Sequence, residues 1–254
     1  MRAPRWFLVS LAIAGCASAG KGNSIIGGIT DAGGDPGRRS DANDFPELDA
    51  SPIDAPAEQL TLTQNVSSTV TRATTFLCLN PNDRTLTVQN SFYRVFALDD
   101  FHVTSVFHVT QVDFAIEFAN AGPDAMEQPA QVTLASYGAV PAGTTLDAAK
   151  IRPITTVDLK IPNGAGTRMS VPIAADVAPG SQLLVELAVP DGTPTGSAFV
   201  IGSNSQGERG PGYLSSTDPG CALPDPTTME SIREAHPDLM LSEADILLTV
   251  TGTR

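Results

Sequence analysis

The chain has 254 residues and a formal net charge of −13, yet charged residues make up only 17% of it. So acidic a surface repels phosphate backbones, and no basic patch offsets it, which argues against nucleic-acid binding. With 22 Gly, 20 Pro and many Thr and Val residues, the composition points to an all-β domain outside the cytoplasm.

Arg2 and Arg5 form a charged start without acids, and Trp6 to Ala14 is an apolar run. A membrane-spanning helix needs about 20 apolar residues, so this run is too short to span and has the size of a signal-peptide core. Ile13-Ala14-Gly15-Cys16 closes it. The pattern resembles the lipobox of bacterial lipoproteins. That resemblance implies that residues 1–15 are a signal peptide and that Cys16 is lipidated, becoming the first mature residue. Two or three acyl chains, at about 0.8 kcal/mol per buried methylene, hold where one does not. Ala17 rather than Asp after the cysteine leans toward the outer membrane. The alternative is an ordinary secretory signal, cut after Ala17-Ser18-Ala19 with Cys16 discarded. Loss of Arg2 and Arg5 with the signal takes the charge from −13 to −15. If Cys16 is lipidated, Cys78 and Cys221 remain as an even pair in an oxidising compartment, which favours a disulfide over two separate buried thiols.

Residues 16–57 read as a lipidated N-terminus followed by a disordered tether rich in Gly, Asp and Pro, with no apolar period able to offset its ordering entropy. Residues 58–254 read as one antiparallel β-sandwich. Leu60, Leu62, Val66 and Val70 share one parity, as in a half-buried strand. Alternation recurs at Leu86 and Val88, Val132 and Leu134, Val157 to Ile161, Met169 to Ile173, Leu183 to Val189, and Ile246 to Val250. Turn sequences such as Asn80-Pro81-Asn82-Asp83 and Pro162-Asn163-Gly164 separate these runs. Phe92 to Leu98 is apolar on both parities, which predicts a central strand covered on both faces. From Phe101 to Phe118 the apolar parity flips near Thr110-Gln111, predicting a bulge or turn there. Thr227-Thr228-Met229-Glu230 fits a capping box with Thr227 as cap, opening a helix of about two turns before Pro237.

Asn90-Ser91-Phe92-Tyr93-Arg94-Val95-Phe96, Val112 to Glu117, Phe199 to Gly207, and Gly212-Tyr213-Leu214 with Cys221 resemble an accessory β-sandwich module of secreted bacterial proteins. The resemblance spans roughly residues 66–252 and implies a jelly-roll-like fold. Such modules usually ride beside a catalytic domain, and none is present in this sequence.

Candidate chemistry is sparse. His102 and His108 read as solvent-facing strand residues and His236 as a loop residue. Ser203 and Ser205 do not lie in a nucleophile elbow. Asp99-Asp100 and the loop from Asn120 to Glu127 supply oxygens of the kind calcium takes, without a dedicated ligand pattern. Tyr93, Tyr137 and Tyr213 are few for a sugar-stacking platform. The sequence therefore predicts no catalysis, cofactor or metal site. It predicts a lipid-anchored envelope module for protein interaction or structure, whose partner is an unknown envelope protein; the alternative is a glycan-binding module, with calcium as a candidate support.

Overall fold

The computed structural model describes residues 57–237 and 243–254. The signal-peptide, Cys16 and tether readings fall outside them.

Two antiparallel sheets pack face to face. One has the order β1-β13-β3-β6, with β8 also paired to β3; the other has the order β11-β10-β2-β7-β4-β5. In the first sheet, β1 is Gln59–Leu62, β3 Phe107–Asn120, β6 Gly164–Val177, β8 Ala198–Ile201 and β13 Leu248–Thr253. In the second, β2 is Asn90–Ala97, β4 Glu127–Tyr137, β5 Ile151–Pro162, β7 Gln182–Val189, β10 Gly212–Ser216 and β11 Leu223–Thr228. A two-stranded ribbon joins β9 (Ser203–Asn204) to β12 (Asp245–Ile246), and α1 (Met229–Ala235) follows β11. The fold is the expected all-β antiparallel sandwich. Its terminal strands lie side by side, with β1 running against β13 from Gln59–Thr253 to Leu62–Val250.

The main core lies between the sheets. Phe92, Phe96, Phe107, Phe114 and Phe199 are all buried there, each contributing about 1.5–3 kcal/mol relative to exposure. A second cluster of Tyr93, Val95, Tyr137, Leu146, Leu184 and Tyr213 forms apart from it. Alternate residues of β2 enter the two clusters, which explains why every residue from Asn90 to Phe96 is buried. The parity flip in β3 is a bulge: register shifts against β6 between Val109 and Gln111. Val109 and Val112 are therefore both core residues despite opposite parity.

Four readings are corrected. β1 ends at Leu62, and Val66 is 67% exposed. Gln64 turns inward instead, its Nε2 donating to the Val95 carbonyl at 2.9 Å, so the matching parity of Val66 and Val70 was coincidental. Leu86 and Val88 belong to no strand; the ladder there is a single Leu79–Thr87 bridge. The helix cap is Thr228, not Thr227: its hydroxyl accepts from the Ser231 N–H at 3.2 Å. Phe101 and His102 also lie outside β3, because a 3-10 turn over Leu98–Phe101 ends at His102 with φ +56°.

Candidate binding surfaces

Cys78 and Cys221 form a disulfide with Cα atoms 5.8 Å apart. Cys78 lies in the segment before β2, and Cys221 in the turn between β10 and β11. The bond thus fastens one segment to a hairpin of the second sheet. It does not join the terminal strands, which the β1–β13 ladder already holds.

Arg94 is fully buried on β2. Its guanidinium donates to the Gly210 carbonyl at 2.6 Å, the Ile246 carbonyl at 2.7 Å and Gln64 Oε1 at 3.2 Å. Its ion pair with Glu208 is 2.6 Å long. A buried guanidinium is tolerated only when its donors are matched and its charge paired. Burial lowers the Arg94 pKa from its ordinary value, against the pull of Glu208, and burial raises Glu208 against the pull of Arg94. Above this pair lies a cavity of about 250 Å³ whose lining includes Glu208, Glu230, Arg233, Glu243 and Asp245. Arg233 sits 3.6 Å from Glu230 and 3.5 Å from Glu243, so one guanidinium serves two carboxylates and, with Asp245 also in the wall, the cavity keeps an excess of acid. The sequence signal for this network was a charged residue at the centre of an apolar strand, on the parity of Phe92 and Phe96.

A groove lies on the face of the first sheet that points away from the core. The irregular segment 63–75 crosses there, and Asn204 Nδ2 fixes it by donating to the carbonyls of Ser67 at 2.8 Å and Thr69 at 3.2 Å. Ala73, at φ +59°, donates its N–H to Glu117 Oε1 at 2.8 Å, and Arg168 donates to the Ser68 carbonyl. Two cavities adjoin beneath this segment, of about 520 and 250 Å³, and both are lined by Ser68 and Arg168. Arg72 and Glu117 line the larger; Asn65 and Thr249 line the smaller. Glu117 is raised by burial, opposed by the Ala73 N–H and Arg72.

Gly202 makes this arrangement possible. Its N–H donates to Ala115 O at 2.8 Å, and its carbonyl accepts from Leu247 N at 2.9 Å. At this point β3 changes partner from β13 to β8. A Cβ on Gly202 would lie 2.6 Å from the Ala115 Cβ and 3.2 Å from Val70 Cγ2.

The remaining sequence candidates are dispersed. Ser203 is buried, and its hydroxyl meets those of Thr74 and Thr75, a clamp on the crossing segment. Ser205 is exposed. His108 is exposed on β3, with Nδ1 2.7 Å from Asp176. Asp99 and Asp100 are exposed in the 3-10 turn. The loop from Asn120 to Glu127 is organised by Asn163, which accepts from the Ala121 N–H at 2.6 Å and donates to the Ala125 carbonyl at 3.2 Å. Among the described residues no group of three or more His, Cys, Asp or Glu could hold a metal ion. All three tyrosines are buried, so none is a stacking platform. Burial pushes Tyr93 and Tyr213 up to about 12.

No family model matches the chain, and no curated protein matches it. Two solved structures are similar in part. One contains the cysteine protease and lectin-like domains of Cwp84, a surface layer associated protein of Clostridium difficile: identity is 9%, coverage 66% of this chain and 33% of that one, and the TM-score 0.41. The other is the clostridial cysteine protease Cwp84 after propeptide cleavage, with 10% identity, coverage of 66% and 36%, and a TM-score of 0.40. This chain spans about a third of each.

Proposed function

We propose that the protein is a non-catalytic module of the bacterial cell envelope, anchored in the outer membrane through lipid on Cys16 and serving protein interaction or structure. The observation that carries the interaction role is β5. This edge strand is 12 residues long and pairs only with β4 among the described strands. An extended peptide can add to such an edge through main-chain hydrogen bonds. Arg152, Pro153, Asp158 and Lys160 on β5 discourage indiscriminate pairing.

A second reading, glycan binding, is favoured by the polar groove under segment 63–75, whose amide, hydroxyl, carboxylate and guanidinium groups suit sugar hydroxyls. Co-sedimentation of the mature protein with envelopes of the source bacterium, before and after protease treatment, separates the two. Binding that protease abolishes supports a protein partner. Binding that survives protease supports a glycan. Absence of binding in both overturns the binding role, and turnover in a broad hydrolase panel overturns the non-catalytic one.

A further inference from the structure

Among the described residues, three buried side-chain polar atoms have no hydrogen-bond partner: Asn65 Oδ1, Glu117 Oε2 and Gln182 Oε1. Two of the three belong to residues lining the adjoining cavities of the groove. An unmatched buried acceptor costs about 1–3 kcal/mol, so two in one groove call for an explanation. Both are acceptors, and what they lack is a donor.

The charges around them restrict the donor further. A cationic ligand would meet the guanidiniums of Arg72 and Arg168, and an anionic one the Glu117 carboxylate. A neutral vicinal diol avoids both conflicts, because each hydroxyl donates to a carboxylate or amide oxygen while accepting from a guanidinium. The size is also suitable: the larger cavity, about 520 Å³, falls in the usual range for small-molecule sites, roughly 300–1,000 Å³. The walls are held before any ligand arrives, by the bonds from Glu117 to Ala73, Arg168 to Ser68 and Asn204 to Ser67 and Thr69. With no aromatic lining the groove, recognition falls to hydrogen bonds, with apolar contact from Val66 and Val70.

We propose that this groove binds a neutral saccharide, whose hydroxyls accept from Arg168 and, once the Asn65 and Glu117 side chains rotate to uncover them, donate to Asn65 Oδ1 and Glu117 Oε2, which are closed to solvent in the unliganded protein. The proposal rests on the glycan reading above and names its site.

The test uses the full lipidated chain in detergent and fluorescein-labelled tetrasaccharides. The neutral probes are gluco-, manno-, galacto- and N-acetylglucosamine-linked; chitosan and galacturonan tetramers are the cationic and anionic comparators. Anisotropy should show binding of at least one neutral probe in preference to both charged ones. Glu117→Gln turns the unmatched acceptor into a donor, and Asn65→Ala removes the other. Each should weaken that binding about tenfold or more in protein that circular dichroism shows to be folded, while Gln182→Ala leaves it intact. If Glu117→Gln fails to fold, Asn65→Ala decides. Neutral binding that neither variant weakens, or that Gln182→Ala weakens equally, overturns the site and leaves the glycan reading standing. Preference for a charged tetramer overturns the neutral saccharide and leaves the glycan reading standing, whereas binding of no probe overturns both.

Discussion

Asn90 holds Cys78 by both of its backbone polar groups. Asn90 Oδ1 accepts from the Cys78 N–H at 2.7 Å, and Nδ2 donates to the Cys78 carbonyl at 3.1 Å and to the Val88 carbonyl at 2.8 Å. The side chain supplements a segment whose own ladder is the single Leu79–Thr87 bridge, and it places Cys78 where Cys221 can reach it. Asn90→Ala leaves buried backbone groups unmatched and is expected to cost about 2–3 kcal/mol. Thermal unfolding followed by circular dichroism checks this; an unchanged midpoint would show that the segment does not depend on Asn90.

The disulfide closes a loop of 143 residues. Chain-entropy arithmetic assigns such a closure about 5 kcal/mol, of which real disulfides often deliver less. The Cys78→Ser/Cys221→Ser double variant should therefore melt well below the oxidised protein. Non-reducing peptide mapping that found two free thiols in folded protein would contradict the bond itself.

Arg94→Met is expected to cost about 3–5 kcal/mol, because Glu208 would be left buried without its counter-charge. The Arg94→Met/Glu208→Leu double variant should recover part of that loss. A double variant as unstable as the sum of the two singles would show that the two side chains do not act as a pair.

Glu117, Glu208 and Asp245 are all raised, first by burial, from ordinary values of 4.5, 4.5 and 3.8. Each holds its proton more tightly folded than unfolded. Just above those ordinary values the folded state therefore binds more protons, and stability falls as pH rises through that range. The melting temperature should decline as pH rises above those ordinary values, and Glu208→Gln should flatten part of the slope. A melting temperature that climbs over this interval would contradict the assignment.

Much of the sandwich could be read along the chain because its signals are local. The two-faced burial of β2 shows in Phe92 to Leu98, and the β3 bulge in the parity change at Thr110-Gln111. The surfaces were harder. Arg94 draws Gln64 from 30 residues away and Ile246 from 152, and alternation carries no information about such pairings. Asn65 has the parity opposite to Leu62 and Val66, as the polar side of a strand would, whereas segment 63–75 crosses the sheet with almost no ladder of its own. What fixes that crossing is Asn204 and Ser203, and a sequence alone shows neither as a clamp.

The most direct test of the envelope assignment is metabolic labelling with alkyne-palmitate, followed by membrane fractionation of wild type and Cys16→Ser in a Gram-negative host. The account predicts labelled wild type in the membrane pellet and unlabelled, soluble Cys16→Ser. Unlabelled wild type, or a variant retained on membranes to the same extent, would contradict it.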